Sequence, residues 1–81
     1  MIEKMRELLN NALQPSYLEV IDESEQHLGH QEYGSGHYLV RISAVQFQGK
    51  TRVQCHQLVF NVLGQFIGQG IHALRIEIIS D

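Results

Sequence analysis

The sequence predicts an α+β fold of order αββααβ, a three-stranded mixed sheet covered on one face by helices. Three observations predict it. Apolar residues recur at helical spacing near the N-terminus and again after Thr51. Three shorter stretches are β-prone or alternate between apolar and polar. The helical stretch between the last two strands makes a crossover, which suits parallel neighbours, whereas the first two strands suit an antiparallel pair.

The first helix is expected over about residues 2–13. Ile2, Met5, Leu9 and Ala12 form its stripe, widened by Leu8 and Leu13, while Glu3, Lys4, Arg6 and Glu7 cover the other side. Pro15 ends it, because proline disfavours helical geometry in the residue before it. Tyr17 to Ile21 reads as the first strand, with Leu18 and Val20 on one face. His37 to Val45 reads as the second. Tyr38, Val40, Ile42 and Ala44 point to the core, and His37, Leu39, Arg41 and Ser43 point away. Phe47 caps the core before a Gln48-Gly49-Lys50 turn, and Thr51 is placed to cap the next helix. Val53, His56, Val59, Phe60, Leu63 and Ile67 form that helix's predicted stripe, and Gly64 divides it into two short helices or one broken one. Gly68-Gln69-Gly70 stops it. Ala73 to Ile79 is the last strand, with Leu74, Ile76 and Ile78 inward and Arg75 and Glu77 outward.

Residues 1–81 read as one domain with one modest core. A formal charge of −3 opposes a dedicated nucleic-acid clamp. A single cysteine excludes an internal disulfide. No apolar run approaches the roughly 20 residues that cross a bilayer, and the N-terminus lacks the apolar centre of a secretion signal. A cytoplasmic protein without membrane contact is the default reading.

Between the first two strands lies a polar excursion, Asp22 to His37. It places three of the chain's five histidines, His27, His30 and His37, within eleven positions. A loop of this length in so small a domain is usually functional or disordered, and the apolar strands that fence it favour function. Asp22, Glu23, Glu25 and Glu32 read as residues that end the strand and keep the loop soluble rather than as an acid–base pair. Two loop histidines without further ligands at the right spacing are too few for an independent zinc site, and position alone reads His27 and His30 as solvated loop residues.

The phrases in this chain resemble the BolA family. They are Asp22-Glu23-Ser24 with His27, Gly29 and His30; Gly36-His37-Tyr38; Phe47 with Gly49-Lys50; Val53, His56 and Leu58-Val59; and Gly70-Ile71-His72-Ala73-Leu74. Five such phrases in order span nearly the whole chain. The resemblance implies a fold similar to the class II KH domain, in agreement with the order read from periodicity. It also implies a partner, a monothiol glutaredoxin, with which BolA-like proteins hold a 2Fe–2S cluster in iron–sulfur trafficking and iron regulation. The partner brings a cysteine thiolate and glutathione. This side brings the histidine of the last phrase, His72, and a loop ligand, for which this chain offers His30 and His27. Without its partner the protein is expected to be monomeric and metal-free. Transcriptional regulation and stress response are further roles associated with such proteins.

One departure concerns the helix phrase. The family triplet around the central histidine is usually Arg-His-Arg, and here it is Cys55-His56-Gln57. Both arginines are gone, which weakens a nucleic-acid role. The Lys50-Thr51-Arg52 turn keeps the candidate nucleic-acid contacts, Lys50 and Arg52.

Weighed by position alone, His72 caps the sheet edge, and the resemblance turns it into a cluster ligand. His56, on the helix stripe, is expected to be a buried, hydrogen-bonded structural residue, and Cys55 a core residue. Adjacent helix residues diverge by about 100°, so the Cys55-His56 pair is a poor nucleophile and base. No phosphate-cradling loop, dinucleotide fingerprint or G-x-x-G clamp is present. The expected function is therefore a non-catalytic adaptor with no catalytic residues, and the alternative is a nucleic-acid-binding regulator.

Overall fold

The computed structural model describes residues 1–24 and 36–80. Helix α1 (Ile2–Leu13) leads into β1 (Tyr17–Asp22), β2 (His37–Ser43), a 3₁₀ turn at Val45–Phe47, α2 (Arg52–Leu63), a second 3₁₀ turn at Gly64–Phe66, and β3 (Ala73–Ile78). The strands lie in the order β1-β2-β3. β1 and β2 are antiparallel, with Val20 opposite Val40, and β2 and β3 are parallel, with Val40 opposite Ile76. The α+β class and the mixed sheet are as the pattern predicts.

The core lies between the sheet and the two helices. Met5, Leu9 and Leu13 from α1 meet Val20, Tyr38, Val40, Ile42 and Ala44 from the strands, and Cys55, Val59 and Leu63 from α2. Phe47 closes one end, as expected. Leu74, Ile76 and Ile78 pack against this cluster half-buried, as inward residues of an edge strand do.

Local chemistry sets the helix ends. α1 stops where Gln14 turns left-handed, at φ 48°, and returns its N–H to the carbonyl of Asn10. Pro15 disfavours continued helical geometry at Gln14. α2 starts with a reciprocal cap: the Gln54 N–H donates to the Thr51 hydroxyl at 3.1 Å, and the Thr51 N–H donates to Gln54 Oε1 at 3.0 Å.

The structure corrects several details. β2 ends at Ser43, because Val45 already belongs to a 3₁₀ turn. Ala12 is exposed, and Leu13 takes its place in the core. The helical element after Gly64 is one 3₁₀ turn. The larger correction is the phase of α2. Its buried stripe is Cys55, Val59 and Leu63, flanked by Leu58, Val62 and Phe66. Val53, Phe60 and Ile67 face solvent, at 65%, 40% and 41% exposure. Apolar residues surround this helix, so spacing alone does not choose between two candidate stripes. Leu39, on the sheet face away from the helices, is also buried. Its cross-strand neighbours there are Ile21 and Arg75.

The predicted and observed stripes of α2 share Val59 and Leu63 and differ at Val53, which decides between them. Leu63→Ala should cost about 2–5 kcal/mol through the cavity it leaves. Val53→Ala should change stability by no more than about 0.5 kcal/mol, as surface substitutions do. Urea titrations of both variants check this, and equal losses would contradict the observed phase.

Candidate functional site

Because β2 and β3 are parallel, their first residues lie side by side, with His37 paired to Ala73. His72, just before β3, therefore reaches the same rim as Gly36, just before β2. The Gly36 carbonyl accepts hydrogen bonds from the N–H groups of His72, at 2.7 Å, and Ala73, at 3.1 Å. β1 runs the other way and ends at this rim, where the Glu23 N–H donates to the His37 carbonyl at 2.7 Å. Both flanks of segment 25–35 thus meet at one edge of the sheet, next to His72. The His72 side is exposed to solvent.

Three further contacts shape this rim. A β-carbon at Gly36 would fall 2.5 Å from Cδ2 and 3.2 Å from Cγ of the His72 ring, so the imidazole rests on bare backbone. Arg75 donates to the Glu23 carboxylate at 2.9 Å, a buried acid meeting a guanidinium that is 64% exposed. Asp22 closes the turn out of β1: it accepts the Ser24 N–H at 2.8 Å. Hydrogen bonds from Ser24, its hydroxyl first and its N–H second, hold the Asp22 carboxyl below the usual carboxylate range.

The predicted site residues divide between two places. His72 stands at the rim. His27 and His30 lie outside the described residues. Lys50 and Arg52 are exposed at the far end of the sheet, where the last residues of β2 and β3 meet the start of α2. They line an open cavity of about 400 Å³ with Phe47, Cys55, Ile78 and Ser80. The length of β3 at about 3.3 Å per residue separates the two ends by roughly 20 Å. The two basic residues and His72 therefore cannot serve one small site.

Among the described residues, no group of three or more His, Cys, Asp or Glu side chains could hold a metal ion. His56 differs from expectation: it is half-buried, and its Nε2 is buried without a hydrogen-bond partner among the described residues. Its position beside the true buried stripe, rather than on it, leaves the ring at the margin of the core. Cys55 is buried as expected, its thiol directed at the Phe47 carbonyl at 3.7 Å. Sequence reasoning missed Glu23, which is a buried ion-pair partner rather than a solvated loop acid. No local pattern signals it, since Arg75 is 52 residues away.

Residues 9–81 match the family described as BolA-like protein. This chain belongs to the BolA family. It is 36% identical to protein BOLA1, chloroplastic, of Arabidopsis thaliana, over 90% of this chain and 49% of that protein. It is 39% identical to the SufE-like protein 1 of the same plant, over 90% of this chain but 22% of that protein. It is 32% identical to BolA of Escherichia coli, named a DNA-binding transcriptional regulator, over 93% and 70% of the two chains. The chain thus spans about a fifth to two thirds of the lengths of these BolA-containing relatives. Among solved structures, the BolA domain of SufE1 from Arabidopsis superposes with a TM-score of 0.84 at 40% identity, covering 95% of this chain and 87% of that one. The BolA family fold is thus present from α1 to β3. No helix among the described residues is long and apolar enough to cross a membrane.

The turn at the base of the BolA histidine loop makes a titration prediction. Asp22 should titrate below the ordinary aspartate value of about 3.9, and Ser24→Ala should raise its midpoint. A group with a depressed folded pKa stabilises the fold above its unfolded pKa, and that stabilisation is lost as pH falls through the folded value. Any advantage of wild type over Asp22→Asn should therefore fade below about pH 4. NMR titration of the side-chain carboxyl and acid unfolding of both proteins check the two parts.

Proposed function

We propose that this BolA-family chain is a non-catalytic adaptor that binds a monothiol glutaredoxin in the cytoplasm and shares a 2Fe–2S cluster with it, in iron–sulfur trafficking or iron regulation. The observation that carries this reading is the exposed His72 imidazole at the rim from which the segment containing His27 and His30 departs. Ligands from two distant parts of the chain would meet there, at an edge a second protein can reach.

The donor set suits a shared centre. The described residues do not assemble a metal site of their own; in this reading the partner completes one. His72 would bind through a neutral ring nitrogen, with His30 or His27 as the second ligand from this side. The glutaredoxin cysteine and glutathione would supply the thiolates, as the family resemblance implies. A bound cluster supplies electron-transfer and cluster-transfer chemistry, and imidazole in place of thiolate raises its potential. The chain's own task is to present its imidazoles and to hold the rim that carries them.

A second reading, nucleic-acid binding, draws support from the name of the E. coli relative and from the exposed pair Lys50 and Arg52. A net charge of −3 and the replacement of the helix arginines by Cys55 and Gln57 oppose it.

Reconstitution separates the two. Mixed with a monothiol glutaredoxin, iron, sulfide and glutathione, the chain should give a visible spectrum distinct from that of the glutaredoxin alone. His72→Ala should abolish the difference, and of His30→Ala and His27→Ala the one that removes a ligand should shift it. An unchanged spectrum for wild type would overturn the adaptor reading. A gel shift that weakens steeply with salt, and is lost in the Lys50→Ala, Arg52→Ala double variant, would favour the second.

A further inference from the structure

We infer that Gly36 is a positioning residue for His72: its missing side chain makes the seat on which the imidazole rests, and thereby sets which edge of the ring a ligand meets. This rests on the reading of His72 as a ligand, and adds the residue that orients it.

The ring atoms nearest a β-carbon at Gly36 are Cδ2 and Cγ, the carbon edge of the imidazole, and neither nitrogen is among them. At 2.5 Å the Cδ2 contact is far inside the range that real β-carbons tolerate, so any side chain at position 36 displaces the ring. The Gly70 carbonyl, 2.8 Å from the same point, blocks the other way out, because it is backbone and cannot swing aside. The backbone around the seat is fixed as well. The Gly36 carbonyl accepts from His72 and Ala73, so the residue under the ring is tied to the residue that carries it. An exposed histidine would ordinarily sample several rotamers. Here one side of the ring is bounded by a surface that a methyl group would fill. Hydrogen-bonded partners that orient a ligating ring commonly change metal affinity by about 10- to 100-fold, and a comparable range is expected of this contact.

Gly36 also has φ +78°, so alanine there strains the backbone whatever the space. Gly49 supplies the control. Its φ is +76°, nearly the same, and a β-carbon there meets nothing within 4 Å. Gly49→Ala therefore carries the backbone strain without the steric contact, at the far end of the sheet.

The test uses two readouts on the wild-type chain, Gly36→Ala and Gly49→Ala. The first needs no cluster: NMR of the metal-free protein follows the His72 ring shifts and the nuclear Overhauser contact between Gly36 Hα and His72 Hδ2. The second is the yield of the mixed complex with glutaredoxin, iron, sulfide and glutathione. The expected result is a clear Overhauser contact in wild type, displaced His72 signals in Gly36→Ala, and complex formation weakened about 10- to 100-fold, with neither change in Gly49→Ala. Wild-type ring signals and wild-type complex formation in Gly36→Ala would overturn the inference. So would an equal loss in Gly49→Ala, which would trace the effect to backbone strain. Should Gly36→Ala fail to fold, the wild-type contact decides, and its absence overturns the inference. If wild type forms no mixed complex, the adaptor reading fails, and the ring readout still judges the seat on its own.

Discussion

The parallel register between β2 and β3 is the constraint on which the rest depends. Antiparallel pairing would carry the start of β3 to the far end of the sheet, some 20 Å from the loop, by the rise of about 3.3 Å per residue. Parallel pairing requires a crossover, and α2 with its following 3₁₀ turn provides it. The crossover is held down by Cys55, Val59 and Leu63 in the core. Helix burial, which looks like a matter of stability alone, is thus what delivers His72 to the loop. Any change that loosens α2 also loosens the site without touching it.

The rim is tied together by contacts of unequal kinds. The backbone bonds at Gly36 and Glu23 fix the chain path and leave little freedom. The Glu23–Arg75 pair is different. Its acid is buried and its base is mostly exposed, so removing Arg75 would leave a buried carboxylate without its partner. On the same sheet face, Glu19, Arg41 and Glu77 stand in register across all three strands. Arg41 lies 3.3 Å from Glu19 and 3.5 Å from Glu77, yet each member is about two-fifths exposed, so these pairs contribute little. The Glu23 pair adds a side-chain tie between the root of the histidine segment and β3, beside the backbone bonds at Gly36.

Much of the fold was legible because periodicity and capping agree. Thr51 and Gln54 are local signals, and they cap α2 as expected. The alternation of β2 and β3 is local too. The phase of α2 was not legible, since Leu58-Val59-Phe60 and Val62-Leu63 put apolar groups on several sides, and only the sheet decides which of them it covers. His56 was misjudged for the same reason. The place of His72 at the start of β3 was readable from the Gly70 to Leu74 phrase, whereas the burial of Glu23 and the contact at Gly36 were not. Both act through partners 36 or more positions away, and no window of sequence contains such a pair. The glycine was visible in the motif, but the reason for it was not.

A site that must be finished by another protein needs properties that a self-contained metal site lacks. Its ligands must be exposed, yet they must not wander, because each rotamer frozen on association costs about 0.5–1.5 kcal/mol. An exposed imidazole held against a glycine meets both demands. The nitrogens remain reachable while the carbon edge has a fixed support. A cysteine in the same place would be open to oxidation whenever the partner is absent. The one cysteine of this chain is instead buried in the core. Under the proposed adaptor reading, histidine at the rim and cysteine in the core fit one logic: the chain would offer ligands that survive exposure and leave the oxidisable thiolates to the partner.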